Sequence, residues 1–223
     1  MFVVGVDFLS GLWYNVIIKT KGRYRAMDFN QIKGQESAKR ALEVALVGKH
    51  PIMLIGPKGM GKASLMVCAS AIAETNHFEA PHMRSALPCR CGYYGDAIRE
   101  CMCSLQDIRH YRRKLCADAY HIVIECPRVE FNKLMHDTEG ERSETIAKRV
   151  VLARKFLPKV KDDIPEDAKA LLRHAMNSIG ISAQQFYTAI AVAKSIAALC
   201  EDTDLRTSYI AEALHYMMKT SEF

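Results

Sequence analysis

Nine residues in the amino-terminal half of the chain have the types and spacing of a phosphate-binding loop. They read Gly-Pro-Lys-Gly-Met-Gly-Lys-Ala-Ser and follow the apolar run 52–55. Glycines let the backbone reverse so that successive N–H groups face phosphate oxygens, and a lysine adds positive charge beside the β- and γ-phosphates. The pattern, between an apolar strand and a helix, predicts ATP binding. The candidate ATP-binding residues are Gly56, Pro57, Lys58, Gly59, Met60, Gly61, Lys62, Ala63 and Ser64.

The same loop departs from the pattern at the position that holds the metal. A Ser or Thr normally follows the lysine and ligates Mg²⁺, but here the residue is Ala63. Ser64 comes one place later and faces about 100° further round the helix, so it is a poor substitute. We therefore expect ATP binding with weak or absent Mg²⁺ dependence. The alternative is a glycine-rich turn that binds nothing.

Hydrolysis also needs an acidic residue at the end of a second strand, and the sequence offers only a weak candidate. The apolar run 122–124 ends in the single acid Glu125, followed by Cys126 and Pro127. ATPases of this class place an acid there to hold Mg²⁺ and help order the attacking water. A lone glutamate is more typical of an ordinary strand end, so we assign no catalytic residue.

Four cysteines form two C-x-C pairs within fifteen residues. The candidate metal ligands are Cys89, Cys91, Cys101 and Cys103. Four thiolates can close a tetrahedral zinc site, and Gly92 and Gly95 between the pairs allow the chain to reverse. The alternative is a loop of reduced thiols without a metal. The remaining cysteines lie on apolar stretches and are predicted to be small buried residues: Cys68, Cys116, Cys126 and Cys200.

The composition is that of an ordinary globular protein. Of the 223 residues, 49% are hydrophobic and 25% charged, and the formal net charge is +6. This excess permits an anionic partner but is also typical of plain surface charge. The apolar runs are shorter than the ~20 residues that span a bilayer, and no basic region precedes the apolar amino terminus. We expect a cytoplasmic protein without a membrane partner.

Hydrophobic periodicity predicts a helical carboxyl-terminal half. Ser182 and Thr207 are predicted N-caps, and residues 74–119 are expected to be irregular apart from a basic helix. The predicted helices are 34–48, 62–73, 108–114, 143–156, 166–178, 182–200 and 206–218, and the predicted strands are 52–55, 121–125 and, less regularly, 16–18.

Several segments together resemble a known family. The run 28–43 with the phosphate loop resembles the entry to the AAA+ core of magnesium-chelatase-like ATPases, the competence protein ComM group. Residues 88–103 resemble the cysteine insertion of that group. Short stretches at 127–129, 180–183 and 210–214 are similar to the end of its sheet and its helical lid. The similar segments follow the family order over most of residues 28–218.

The resemblance implies a fold and an activity. The fold class expected is α/β, with a reduced phosphate-loop, AAA+-like core, an incomplete parallel sheet and a C-terminal helical lid. The expected divisions are a short lead (1–27), a truncated core with the cysteine-rich insertion (28–135) and the lid (136–223). The family implies a hexameric ATPase, and its members resemble DNA branch-migration helicases of natural transformation. ATP, zinc, DNA and other AAA+ subunits are thus the candidate ligands and partners.

The chain departs from the family pattern at each step of phosphoryl transfer. The family's amino-terminal domain and the block with the Walker B acids are not recognised. Leu87 replaces the sensor asparagine, Ala119 the arginine finger and Gln184 the lid arginine. Each change removes a charge or donor that stabilises the transition state. We expect a hydrolysis-deficient ATP-binding protein rather than an intact helicase subunit.

The second hypothesis is a zinc-stabilised adaptor or DNA-binding module without nucleotide turnover. Its DNA-binding form depends on a basic cluster in the predicted helix 108–114. The cluster consists of Arg109, Arg112, Arg113 and Lys114. A solvated helix face is the alternative explanation of these charges.

Overall fold

Three short strands form a parallel sheet at the centre of the structure. The computed structural model describes residues 28–115, 119–136 and 140–218. The candidate strand at 16–18 lies outside the described residues. Within them the strands are β1 (Ile52–Ile55), β2 (Met83–Ala86) and β3 (Ile122–Glu125), in the order β2-β1-β3. The reduced α/β core with a small parallel sheet, expected from the sequence, is therefore present.

Eight α-helices surround the sheet in the described part of the chain. None of them is long and apolar enough to cross a membrane. The helices are α1 (Glu36–Gly48), α2 (Lys62–Thr75), α3 (Leu105–Lys114), α4 (Phe131–His136), α5 (Ser143–Phe156), α6 (Glu166–His174), α7 (Ala183–Leu199) and α8 (Thr207–Met218).

The register of the sheet brings the ends of the three strands to one level. Ile55 in β1 pairs with Ala86 in β2 on one side and with Glu125 in β3 on the other. The segments that leave the strands are consequently neighbours at the carboxyl edge of the sheet. They are the phosphate loop after β1, the cysteine segment after β2 and residues 126–129 after β3.

The two faces of the sheet are covered unequally. Ile52 and Leu54 face the main hydrophobic core, which contains α1 and α2 and continues into the helices of the carboxyl-terminal half. Met53 and Ile55 face a much smaller cluster beneath α3, which includes Leu115. The carboxyl-terminal helices thus contribute to the same core as the strands. The division of the chain at residue 135 stays a prediction.

Side-chain caps set the start of two helices. Ser182 accepts a hydrogen bond from the N–H of Gln185, and the Gln185 side chain bonds back, so a capping box opens α7 as the sequence predicts. Ser104 and Asp107 form the same arrangement at the start of α3, which therefore begins three residues earlier than expected. Thr207, expected as an N-cap, is instead the first residue of α8.

Three elements differ from the sequence-based expectation. Residues 74–119 were expected to be irregular apart from a basic helix, but they contain the strand β2. About 30 residues separate the starts of β1 and β2, which is enough for a βαβ unit. Its sequence, Met-Arg-Ser-Ala, carries no alternating apolar signal because β2 is a partly exposed edge strand. The short helix α4 was also missed. The helix expected at 166–178 ends at His174 and continues as a π-helix over Ala175–Ile179.

A pair of histidines joins the start of the sheet to α7. His50 Nδ1 lies 3.2 Å from His121 Nδ1, and His50 Nε2 lies 2.8 Å from the Ser195 hydroxyl of α7. A Cβ at Gly48 would lie 2.1 Å from His50 Nε2, so only glycine leaves room for this ring. Ser195 can donate onward to the Ala191 carbonyl at 3.3 Å. All three contacts are satisfied when both histidines are neutral.

We expect this pair to make stability depend on pH. Burial lowers the pKa of His50 to about 4, whereas the unfolded chain has a histidine pKa of about 6.5. Between these values the unfolded state binds more protons, so stability falls as pH falls from about 6.5 to 4, by up to about 3 kcal/mol. Urea unfolding of wild type and His50→Gln across this range measures the effect.

The variant should show a flatter dependence of the unfolding free energy on pH than wild type. His110→Gln, at an exposed position of α3, is the matched control and should keep the wild-type slope. Equal slopes for all three proteins between pH 4 and 6.5 would contradict the assignment.

Candidate nucleotide and metal sites

The loop after β1 has the backbone shape that its glycines were expected to permit. Gly59 and Gly61 have φ values of +86° and +78°, in the region that favours glycine. A Cβ at Gly56 would lie 2.2 Å from the Cys126 carbonyl oxygen, so the loop leaves the sheet through a gap that only glycine fits. Gly61 is also the N-cap of α2, without a capping side chain. The loop therefore turns directly into the amino-terminal, positive end of a helix.

Lys62 is folded back over this loop. Its Nζ donates hydrogen bonds to the carbonyl oxygens of Gly56 and Pro57, both at 2.6 Å. The side chain is buried, and desolvation lowers the pKa of its ammonium group. An anion at the loop would counter that desolvation, because it supplies the charge that the carbonyls supply only as dipoles. Ala63 is exposed at the following position and offers no oxygen ligand.

A cleft lies beside the loop. Its volume is about 650 Å³, within the range of ~300–1,000 Å³ typical of small-molecule sites. Ile32 and Gln35 line the cleft and also touch the loop: Ile32 Cγ2 lies 3.6 Å from the Cβ position of Gly61, and Gln35 Nε2 lies 3.5 Å from the Met60 carbonyl. The cleft also includes Glu125 and Pro127, from the end of β3.

The positions expected to support hydrolysis are scattered. Leu87 directly follows β2 at the carboxyl edge of the sheet, beside the loop, but has an aliphatic side chain. Gln184 lines a separate pocket with Tyr120 and His121, which precede β3 and so lie at the opposite edge. Ala119 is exposed near that same edge. Among the described strands none ends in two acids, and the positions named here do not lie together.

The four cysteines of the two C-x-C pairs come together. All four sulfur atoms lie within 4.8 Å of one another. Cys89 Sγ is 3.3 Å from Cys91 Sγ and 3.6 Å from Cys101 Sγ, and Cys91 and Cys101 are 3.5 Å apart. Zinc–sulfur bonds of about 2.3 Å in a tetrahedron place sulfurs about 3.8 Å apart. The donor set and its spacing are therefore suited to hold a metal such as zinc.

The cysteines of this cluster differ in how readily they ionise. The backbone N–H of Tyr93 lowers the pKa of the Cys91 thiol to about 6. Desolvation, together with the neighbouring thiols, raises the pKa of the Cys101 thiol to about 12. Four thiolates this close repel one another, so a cation is needed for all of them to ionise.

Arg112 anchors the cysteine segment and is not available to nucleic acid. Its side chain is buried, its Nε donates to the Pro88 carbonyl at 3.0 Å, and its guanidinium lies 4.8 Å from the centre of the Tyr94 ring. The basic cluster proposed from the sequence is thus reduced to three exposed members. They are Arg109, Arg113 and Lys114.

The cysteines outside the cluster are not all buried. Cys68 and Cys126 are buried as expected, but Cys200 follows the end of α7 and is exposed. The expectation for Cys200 was wrong because its apolar neighbours lie on the preceding helix face, whereas the helix ends at Leu199. Cys116 lies outside the described residues.

The comparison with family models agrees with the geometry of the loop. Residues 28–80 match the model of magnesium chelatase, subunit ChlI. The matched segment contains α1, β1, the phosphate loop and α2. It supports a relationship to magnesium-chelatase-like AAA+ proteins, and hence nucleotide binding, for this part of the chain. None of the curated proteins searched matches the chain.

Two residues beside the loop carry contacts that the sequence analysis missed. Gln35 bridges the loop and the end of β3, and Arg128 pairs with Asp96 in the cysteine segment. The only sequence signal for Gln35 is the preceding Gly34, which marks a turn before α1. Arg128 carries no signal, because an arginine after a strand is commonly solvated.

Zinc should bind one per chain and stabilise the fold. A metal that binds only the folded state raises the melting temperature, because it must dissociate before unfolding. Cys101→Ser should lose this metal-dependent shift, whereas Cys200→Ser should keep it. Metal analysis of the purified protein and thermal unfolding with and without chelator measure both effects. Fewer than about 0.1 zinc per chain, with a melting temperature indifferent to chelator, would remove the site.

Proposed function

We propose that the protein binds ATP at the loop 56–64 and does not hydrolyse it efficiently. The observation that carries the proposal is the loop itself: a glycine-restricted exit from β1, the Lys62 ammonium at its centre and an uncapped helix start behind it. A glycine-rich turn, an ammonium group and the positive end of a helix in one loop suit a phosphate chain.

In this proposal the base and the sugar of the nucleotide occupy the cleft beside the loop. Its size and its mixed apolar and polar walls, from Ile32 to Glu130, suit a base and a sugar. A magnesium-chelatase-like AAA+ relationship over 28–80 favours ATP among the nucleotides. Assignment to the ComM group, with its role in DNA branch migration, belongs to this proposal, as does assembly with other AAA+ subunits.

The proposed lack of ATP hydrolysis rests on groups that are missing from the same site. Ala63 provides no Mg²⁺ ligand, and the described strands place no acidic pair beside the loop. Without these groups the protein can bind the phosphates of the ground state but gains little additional stabilisation of the transition state. Binding without efficient hydrolysis is the expected result.

A second function, a zinc-stabilised binding module, is favoured by the four clustered cysteines. In this alternative the metal maintains the cysteine segment and the exposed Arg109, Arg113 and Lys114 contact DNA phosphates. Binding to DNA should then weaken steeply with salt and weaken further in a triple alanine variant of these residues. The two functions are compatible, since the loop and the cluster use different residues.

Calorimetry with ATP tests the principal proposal. Wild-type affinity should change by less than about threefold when Mg²⁺ is added, because no side chain at position 63 ligates the metal. Lys62→Ala should weaken binding by about 10- to 100-fold, since a buried charged hydrogen-bond donor is lost.

Ala63→Ser is the matched gain-of-function control. The new hydroxyl occupies the usual metal-ligand position, so Mg²⁺ should strengthen ATP binding in this variant and not in wild type. Efficient ATP hydrolysis by wild type that is abolished by Lys62→Ala would overturn the proposed lack of turnover. Absence of ATP binding by the folded wild-type protein would overturn the function.

A further inference from the structure

A fully buried carboxylate lies between the two cysteine pairs. The Asp96 side chain has no exposed surface, and its Oδ1 accepts hydrogen bonds from the N–H groups of Ile98 at 2.9 Å and Arg99 at 3.1 Å. Arg128 completes the set with two bonds, Nε to Oδ1 at 3.2 Å and Nη2 to Oδ2 at 2.8 Å. A buried carboxylate needs such a partner, so the turn between the cysteine pairs is held to the segment after β3.

The segment after β3 is in turn held to the start of α1. A Cβ at Gly34 would lie 3.3 Å from Val129 Cγ1, so Val129 packs closely on that turn. One residue before Arg128, the Pro127 carbonyl accepts a hydrogen bond of 2.7 Å from Gln35 Nε2. Arg128 therefore sits in a short segment with contacts on both sides.

Gln35 extends the connection to the phosphate loop. The same Nε2 lies 3.5 Å from the Met60 carbonyl, so one amide group spans the end of β3 and the loop. Gln35 has a φ of +61°, which is uncommon for a residue other than glycine. Its Oε1 is buried and has no hydrogen-bond partner among the residues that the structure describes. A residue keeps such a backbone conformation only where the contacts around it hold it there.

We propose that Arg128 and Gln35 are positioning residues that couple metal binding at the four cysteines to nucleotide binding at the phosphate loop. The proposal rests on the function proposed above. A metal closes the cysteine segment and fixes the turn that carries Asp96. Asp96 then holds Arg128, the segment 127–129 holds Gln35, and Gln35 holds the Met60 carbonyl. The two alternative states are the closed and the open cysteine segment, and nucleotide binds more tightly to the closed one.

The experiment measures the loop directly, with and without zinc. Hydrogen–deuterium exchange of peptides covering residues 56–64 is followed in the zinc-loaded full chain and after zinc removal with a chelator. Zinc removal should speed exchange in the wild-type loop about tenfold, and should raise the Kd of a fluorescent ATP analogue by a similar factor. In Arg128→Ala the loop should exchange fast even with zinc bound, and zinc removal should change exchange by less than about twofold.

Arg149→Ala is the matched control. Arg149 has nearly the same exposure as Arg128, 34% against 31%, and also forms a two-bond pair with a buried carboxylate, that of Glu43. It lies in α5, outside the connection from the cysteines to the loop. This variant should lose stability but keep the wild-type response of the loop to zinc.

Gln35→Glu provides a second test should Arg128→Ala fail to fold. The carboxylate keeps the size of the amide but cannot donate to the Pro127 and Met60 carbonyls. Zinc content should stay at one per chain while the response of the loop to zinc is lost. A structural role alone would lower stability without abolishing this response.

The outcomes separate the coupling from the proposed function. If the protein binds ATP, but neither the loop exchange rate nor the Kd changes with zinc, the coupling is overturned and the proposed function stands. Zinc-dependent loop exchange in a protein that binds no nucleotide supports the connection from the cysteines to the loop, but overturns the function and with it the coupling to nucleotide binding. A further outcome is that zinc removal and Arg128→Ala together change the rate of loop exchange by the product of their separate factors. The two perturbations are then independent, because independent effects add in free energy, and the coupling is overturned.

Discussion

The parallel pairing of β1 with its two neighbours is the constraint on which the sites depend. Because Ile55, Ala86 and Glu125 lie at one level, the three exits from the sheet are adjacent. One exit is the phosphate loop, one leads to the cysteines and one carries Arg128. In a parallel sheet, ligands characteristically bind outside the carboxyl ends of the strands. The register therefore places the four-cysteine cluster, the cleft and the loop at the same edge of the sheet.

Close backbone approach explains why this edge tolerates little change. Gly56 passes the Cys126 carbonyl at a distance that excludes any side chain, and the N–H of Gly56 bonds the Ala86 carbonyl at 3.1 Å. The loop is thus attached to both neighbouring strands at its first residue. The neighbouring strands β2 and β3 therefore determine the shape of the loop together with its own glycines. A change in the contacts of either strand can alter that shape.

Motifs governed by local chemistry could be predicted from the sequence. The phosphate loop, the clustering of the four cysteines and the Ser182 cap follow from glycine, thiol and hydroxyl chemistry at fixed spacing. The strand β2 could not be predicted, because an edge strand with exposed Ser85 shows no hydrophobic period. Neither could the inward position of Arg112, since a basic run in a helix gives no sign of which arginine faces a buried carbonyl. Gln35 and Arg128 act through contacts about 25 to 90 residues away in sequence, which only tertiary structure reveals.

The inward-folded Lys62 has a consequence for selectivity among anions. Its two short bonds to the Gly56 and Pro57 carbonyls mean that an incoming ligand competes with the loop's own oxygens for one ammonium group. A singly charged anion offers one charge to that ammonium group, whereas a polyphosphate offers several charges and further acceptors for the surrounding N–H groups. A highly charged chain is therefore better suited than a small anion to draw the lysine away from those two carbonyls.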